Sequence, residues 1–273
     1  MKVVIFSTCV VDLVFPNVGK AMVEVLERFG CDTELPSRQI CCSQITNNSG
    51  YVRESQKVMR NEVDSLLSID ADYIVGPAGS CVNMLKEYVV RLRDDPVYLE
   101  KAKVLAAKTY EFSQFLYYVL GVSNAGAELD ATATYHRSCH MTRLLGERHS
   151  PYALLARVKG LNLLPLPNLE NCCGFGGMFS MKEPEISKQM VDEKVDSVLA
   201  TNAQVLISCD PACLMNIGGR FNRRGEKITI MHLAEVLNHN VDMSRVTYDK
   251  DDPLTLAEWP HDAGMTAELI KEA

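Results

Sequence analysis

The sequence predicts an α/β fold in which two small, pseudo-symmetric repeats stand in tandem, each with a parallel-type sheet and cysteine loops at the C-terminal ends of its strands. Three observations predict it. Short β-branched apolar runs alternate with longer stretches whose apolar residues recur at helical spacing, the pattern of βα units. Cysteines recur at matching intervals: 31 residues separate Cys9 from Cys41 and 32 separate Cys139 from Cys172, while 38 separate Cys42 from Cys81 and 39 separate Cys173 from Cys213. The flanks repeat as well, since Ala71-Asp72-Tyr73-Ile74-Val75 leads to Cys81 as Ala203-Gln204-Val205-Leu206-Ile207 leads to Cys213. Self-similarity at matched spacing marks a repeated structural unit.

In chain order, Lys2 to Thr8 is an apolar strand, and Asn17 to Phe29 is a helix with Val18, Met22, Val25 and Leu26 on one face, closed by Gly30. Cys31 to Leu35 reads as a short strand, Tyr51 to Leu67 as a helix, Ala71 to Val75 as a strand and Val82 to Leu92 as a helix. Pro96 to Gly121 reads as one long helical stretch, and the small, polar segment Val122 to Asp130 as the link between halves. The pattern then restarts: strand at Thr132 to His136, helix at Pro151 to Val158, strand at Asn162 to Leu166, helix at Glu185 to Leu199 and strand at Ala203 to Ser208. A last helix opens at Cys209-Asp210-Pro211-Ala212-Cys213 and closes at Gly218-Gly219. These elements give a first repeat over 1–125, a second over 126–240 and a tail over 241–273. The tail holds the only tryptophan, Trp259, and is expected to pack on the body or on a partner, with plain disorder as the alternative.

A net charge of -7 and a pI near 5.4 argue against a nucleic acid as partner. The apolar N-terminal run is too short for a signal sequence, and the longest aromatic-rich run, Phe115 to Leu120, falls far short of the roughly 20 residues of a membrane span. A cytoplasmic location is expected. Thiols stay reduced there, so the ten cysteines point to metal or redox chemistry rather than to disulfides.

The densest chemistry lies in Asn171-Cys172-Cys173-Gly174-Phe175-Gly176-Gly177. Two adjacent thiols can face one inorganic group only if the backbone bends sharply, and Gly174, Gly176 and Gly177 permit the bend while letting the backbone approach what the thiols hold. Each half offers one cysteine, then a pair, then another: Cys9, Cys41, Cys42 and Cys81, and Cys139, Cys172, Cys173 and Cys213. Iron–sulfur clusters take thiolates in this number, and so does tetrahedral zinc. Adjacent cysteines favour the larger object, because each can take a different iron, while zinc stays open for one half. Cys209 is a candidate extra ligand or a thiol able to pair with Cys213 once a cluster is lost, and Cys31 a small buried residue. His140 is a candidate to meet a cluster and Arg143 a carboxylate, while His136 and His232 read as structural.

A cysteine, some thirty residues, Cys-Cys-Gly and a terminal cysteine pair, present twice, resembles the cysteine-rich domain found in tandem in heterodisulfide reductase. The same domain occurs in the iron–sulfur subunits of glycolate oxidase and anaerobic glycerol-3-phosphate dehydrogenase. The stretches Asn17-Val18-Gly19-Lys20-Ala21, Ser49-Gly50-Tyr51-Val52, Ser138-Cys139-His140-Met141-Thr142-Arg143, Met190-Val191-Asp192-Glu193-Lys194-Val195 and Cys213-Leu214-Met215-Asn216-Ile217-Gly218-Gly219 are similar to the lactate-utilisation members, over about residues 1 to 238. The resemblance implies an oxidoreductase subunit that carries one or two 4Fe-4S clusters and passes electrons from the oxidation of L-lactate, a 2-hydroxy acid, to pyruvate. It implies as partners the other subunits of a lactate-oxidising iron–sulfur complex, either cytoplasmic or associated with a membrane peripherally through those partners. The terminal pair is incomplete here, because Ala78 stands three before Cys81 and Asp210 three before Cys213. Four-thiol sites are therefore expected rather than five-thiol noncubane ones. Ser43 replaces the glycine after the first pair, so the first loop is expected to approach its ligand less freely. No Gly-x-Gly-x-x-Gly fingerprint is present, which leaves hydride chemistry to a partner. A cluster-dependent disulfide reductase and a zinc-stapled scaffold are the alternatives.

Overall fold

A computed structural model of the chain describes residues 1–248. Trp259 and the expected tail beyond residue 248 lie outside the described residues. The first half contains β1 (Lys2–Ile5), α1 (Cys9–Val14), α2 (Pro16–Arg28), β2 (Asp32–Glu34), α3 (Gln44–Asn48), α4 (Val52–Leu66), β3 (Tyr73–Gly76), α5 (Gly79–Arg91), α6 (Pro96–Lys108), β4 (Thr109–Glu111) and α7 (Phe112–Gln114), which runs into a π turn at Phe115–Val119. The second contains β5 (Glu128–His136), α8 (Cys139–Arg143), α9 (Ser150–Leu155), β6 (Lys159–Leu164), α10 (Phe179–Lys182), α11 (Pro184–Leu199), β7 (Val205–Ser208), α12 (Pro211–Arg224), β8 (Thr229–His232) and α13 (Leu233–Leu237).

Each half builds one four-stranded sheet, ordered β2-β1-β3-β4 and β6-β5-β7-β8, and every pairing is parallel. The two orders are the same order. Alternate residues of β1 face opposite ways: Val3 and Ile5 enter a core shared with Ala133, Tyr135, Val205 and Ile207 of the second sheet, while Val4 and Phe6 meet Met59, Val63, Leu85 and Tyr88 of α4 and α5. On the outer face of the second sheet, Leu206 packs with Val191, Val195 and Ile217 of α11 and α12. Both faces of each sheet are thus covered, as parallel sheets require, and this is why the central strands read as nearly continuous apolar runs.

Two expectations are corrected. The stretch from Pro96 is not one helix, because the backbone turns extended at Thr109, with φ -91° and ψ 129°, and β4 then pairs with β3. The last helix does not close at Gly218-Gly219 but continues to Arg224 and ends at Gly225, whose φ is 75°. Gly218 serves packing instead: a Cβ there would sit 2.7 Å from Cδ1 of Ile230 on β8. Residues 241–248 fold back on the link between halves, with Asp242 N donating to Gly126 O at 2.9 Å and Ser123 N to Thr247 O at 3.0 Å.

Candidate metal centre

Every candidate thiol follows the C-terminal end of one of three adjacent strands, Cys209 directly after β7. Cys9 opens α1 after β1, Cys41 and Cys42 follow β2, and Cys81 lies in the first turn of α5 after β3. Cys139, Cys172, Cys173 and Cys213 repeat that placement after β5, β6 and β7. The C-terminal edges of the two sheets face each other. Gly79 at the start of α5 is so close to α8 that a Cβ would lie 2.6 Å from the Cβ of Met141, and His232 Nε2 meets Pro77 O at 2.7 Å. In consequence all eight thiols line one cavity of about 80 Å³ between the halves.

The sulfurs form two nests. Cys9 Sγ lies 3.8 Å from Cys41 Sγ, Cys139 Sγ lies 4.0 Å from Cys172 Sγ, and Cys173 Sγ lies 3.1 Å from Cys213 Sγ. Backbone donors are aimed at the same sulfur in each half, Ser43 N to Cys41 and Gly174 N to Cys172, both at 3.4 Å. Cys41 is held down to about 3 because the thiols of Cys42 and Cys9, then the Ser43 N–H, donate to it against the opposing effect of burial. Cys172 is held down to about 2 by the thiols of Cys139 and Cys173 and by the Gly174 N–H. The donating neighbours Cys9, Cys42, Cys139 and Cys173 are pushed up correspondingly. Each nest therefore favours a thiolate, but only one until a positive group shares the space, since sulfurs this close repel when all are ionised.

The carbonyls behind the nests are pinned. Tyr88 donates to Cys42 O at 2.9 Å from α5, and Asn216 donates to Cys173 O at 2.8 Å from α12. Behind the first pair, the buried Glu62 accepts from Ile40 N at 2.9 Å, and burial pushes its carboxyl up to about 7. At the equivalent helical position of the second half stands Lys194, equally buried, donating to Asn168 O at 2.8 Å and pushed down to about 8 by burial. The two halves thus place an acid and a base at one structural position.

Ser43 does not keep its loop from the nest. It adopts the left-handed conformation, φ 66°, that Gly174 adopts at φ 81°, and gives the same N–H to sulfur bond. Gly176 and Gly177 line the cavity; Gly177 lies against Ile45 of the first half, 3.0 Å from a Cβ placed on it. Gly174 does not line the cavity, but Ser187 O would be 2.7 Å from its Cβ. His140 lines the cavity, with Nδ1 3.5 Å from Cys139 Sγ. Arg143 is exposed and donates to Glu170 O at 2.6 Å, away from the cavity. Cys209 is fully buried in the shared core, where Tyr135 OH donates to its sulfur at 3.3 Å, and the structure does not bring it to either nest.

Asp210 lines the cavity between the nests. Its Oδ1 accepts from Ala212 N at 3.2 Å and Cys213 N at 3.4 Å, capping α12, and its Oδ2 accepts from Ser80 N and from Ser138 Oγ, both at 3.1 Å. One carboxylate caps both helices that carry the terminal cysteines. His136, at the end of β5, reads as structural in the sequence, yet its ring nitrogens are buried with no hydrogen-bond partner, a situation that costs about 1–3 kcal/mol per group. A ring nitrogen of His136 and the sulfurs of Cys173 and Cys213 lie within 4.8 Å of one another. Burial, then the nearby Lys194 cation, pushes this imidazole down to about 3 and keeps it neutral.

Four converging sulfurs per nest, N–H groups aimed at them and an unpaired imidazole fit a thiolate-bound metal group. Comparison with known proteins agrees with the geometry. The CCG cysteine-rich domain matches the chain twice, over residues 3–86 and 133–218, and the chain belongs to that family. It is similar to Lactate utilization protein A of Halalkalibacterium halodurans, 56% identical over 239 residues that cover 88% of this chain and 97% of that protein. It is similar also to Lactate utilization protein A of Geobacillus thermodenitrificans, 55% identical over 88% of this chain and 99% of that protein. That of Bacillus subtilis is 53% identical over 87% of this chain and 99% of its own length. Among the described residues no helix is long and apolar enough to cross a membrane.

Proposed function

We propose that this protein is an iron–sulfur electron-transfer subunit serving lactate utilization, with one 4Fe-4S group held by Cys9, Cys41, Cys42 and Cys81 and a second by Cys139, Cys172, Cys173 and Cys213. The observation that carries the reading is that eight thiols from two copies of one architecture meet at a single cavity. The names of the relatives supply lactate as the substrate of the system. Bound there, such groups supply one-electron transfer at potentials set by charge, burial and hydrogen bonds to sulfur. The chain's own residues hold and tune. The backbone N–H groups of Ser43 and Gly174 favour the thiolate form of Cys41 and Cys172, and burial of Cys42, Cys173 and Cys213 keeps water from that side of each nest.

The test is anaerobic purification of the full chain with iron, sulfide and zinc analysis, then reduction by L-lactate in the presence of its partner subunits. Brown protein with near-equal iron and sulfide, reduced by lactate only with partners, is expected. A colourless zinc protein overturns the reading. One observation favours a second reading, a cluster-dependent disulfide reductase: a disulfide entering the shared cavity would meet thiol sites of both halves. Turnover of small disulfides by the loaded protein, without lactate-dependent reduction, would select it.

A further inference from the structure

The same strand end carries different side chains in the two halves. Three residues before the first thiol of the nest, the first half has Phe6 and the second has His136, and both are 0% exposed. A phenyl ring fills such a place without needing a partner. An imidazole of similar shape brings two polar nitrogens into it, and neither nitrogen finds a hydrogen bond. Buried polar groups left unpaired in this way call for a partner from outside the chain, a water, a ligand or an ion. The pairing it lacks is available on one side, because a ring nitrogen lies within 4.8 Å of both Cys173 Sγ and Cys213 Sγ. The carboxylate that lines the cavity, Asp210, is already committed to Ser80, Ser138, Ala212 and Cys213.

We propose that His136 is a nitrogen donor to the metal group of the second nest, so that this nest presents four thiols and an imidazole while the first presents thiols alone. The proposal rests on the thiol nests of the preceding section holding metal. The neutral imidazole donates a lone pair and adds no negative charge, so the two sites differ in donor set even though their sulfurs are arranged alike. In Rieske-type centres, where two imidazoles replace two thiolates on one iron, the potential is raised. Here the nitrogen is added to the nest that also has Lys194 behind it.

The experiment uses the full chain purified without oxygen, with natural-abundance histidine and with 15N-histidine, and pulsed EPR of the reduced protein. A strong nitrogen coupling on one of two cluster signals is expected, and it should change to the 15N pattern on labelling. It should disappear in H136F, the side chain the first half uses, while iron content falls by less than half and the uncoupled signal is kept. H140F, which removes the histidine that lines the cavity, should retain the coupling. H136Q replaces H136F as the comparison if the phenylalanine variant does not fold. Absence of the coupling at full iron and sulfide content overturns the proposal and leaves the iron–sulfur reading standing. Loss of the coupling in H140F, or its survival in H136F, overturns it also. If the protein instead holds zinc, the iron–sulfur reading fails, and the nitrogen coupling is read on the cobalt(II)-substituted chain by the same variants. A chain that binds no metal overturns both.

Discussion

Residues 43 and 174 perform one task with different side chains. Each takes a left-handed backbone angle so that its N–H reaches the first sulfur of the pair, and left-handed backbone costs a residue with a Cβ about 1–2 kcal/mol. Ser43 tolerates it, with its hydroxyl donating to Ser55 O at 3.3 Å. Gly174 has no room for a Cβ, because Ser187 O would lie at 2.7 Å and the Met190 Cβ at 3.0 Å. Gly174→Ala should therefore cost about 2–4 kcal/mol, whereas Ser43→Gly should shift stability by less than about 1 kcal/mol, since relieved strain offsets a weak hydrogen bond. Denaturant unfolding under anaerobic conditions measures both, and equal costs would refute the assignment. At this scale the sequence made the eight thiols legible, because spacing is visible without a fold. It did not distinguish Cys209, which stands close to Cys213 in sequence but on the inward side of the sheet, beside Tyr135. His136 was within reach: aligning the halves on Cys9 and Cys139 sets it opposite Phe6, a polar ring at a core position.

Helices α5 and α12 carry the terminal cysteines, and their first turns depend on one side chain. Ala78 at the N-cap of α5 offers no side-chain acceptor, and Asp210 supplies one from the other half through Ser80 N while capping its own helix. Asp210→Ala leaves these buried donors unpaired and should cost about 2–4 kcal/mol, from the lost cap and the unsatisfied groups together. Asp210→Asn keeps one acceptor and should cost less. Because the carboxylate reaches both halves, D210A should lower iron retention at both nests, read as loss of both EPR signals; loss of only one would show that the link across the cavity carries no weight. The capping role was hidden in the sequence, where Asp210 reads only as a departure from a cysteine pair. Strands β4 and β8 were hidden for another reason: β4 lies directly between Lys108 of α6 and Phe112 of α7, and β8 runs straight into Leu233 of α13, with no turn residue to mark the change.

Across the whole molecule the two halves share strand order, thiol placement and the N–H to sulfur bond, and differ in buried charge. Glu62 and Lys194 occupy matching helical positions behind the paired cysteines, each fully buried and each bonded to the backbone that leads into its pair. A fixed positive charge stabilises the more negative, reduced state of a nearby redox group and a negative charge opposes it, and burial weakens the screening that would erase the difference. The second nest should thus hold its electron at higher potential than the first, which sets a downhill path from the first nest to the second. The charges are both present only between about 7, where Glu62 ionises, and about 8, where Lys194 loses its proton, so the measurement belongs in that interval. There, Lys194→Met should lower the midpoint of the second signal and Glu62→Gln should raise that of the first, each by about tenfold in the reduction equilibrium, or about 59 mV for one electron. EPR-monitored redox titration of the two variants reads these shifts separately. Midpoints that move together, or a first signal already above the second in the unaltered chain, would mean that charge at these positions does not order the path.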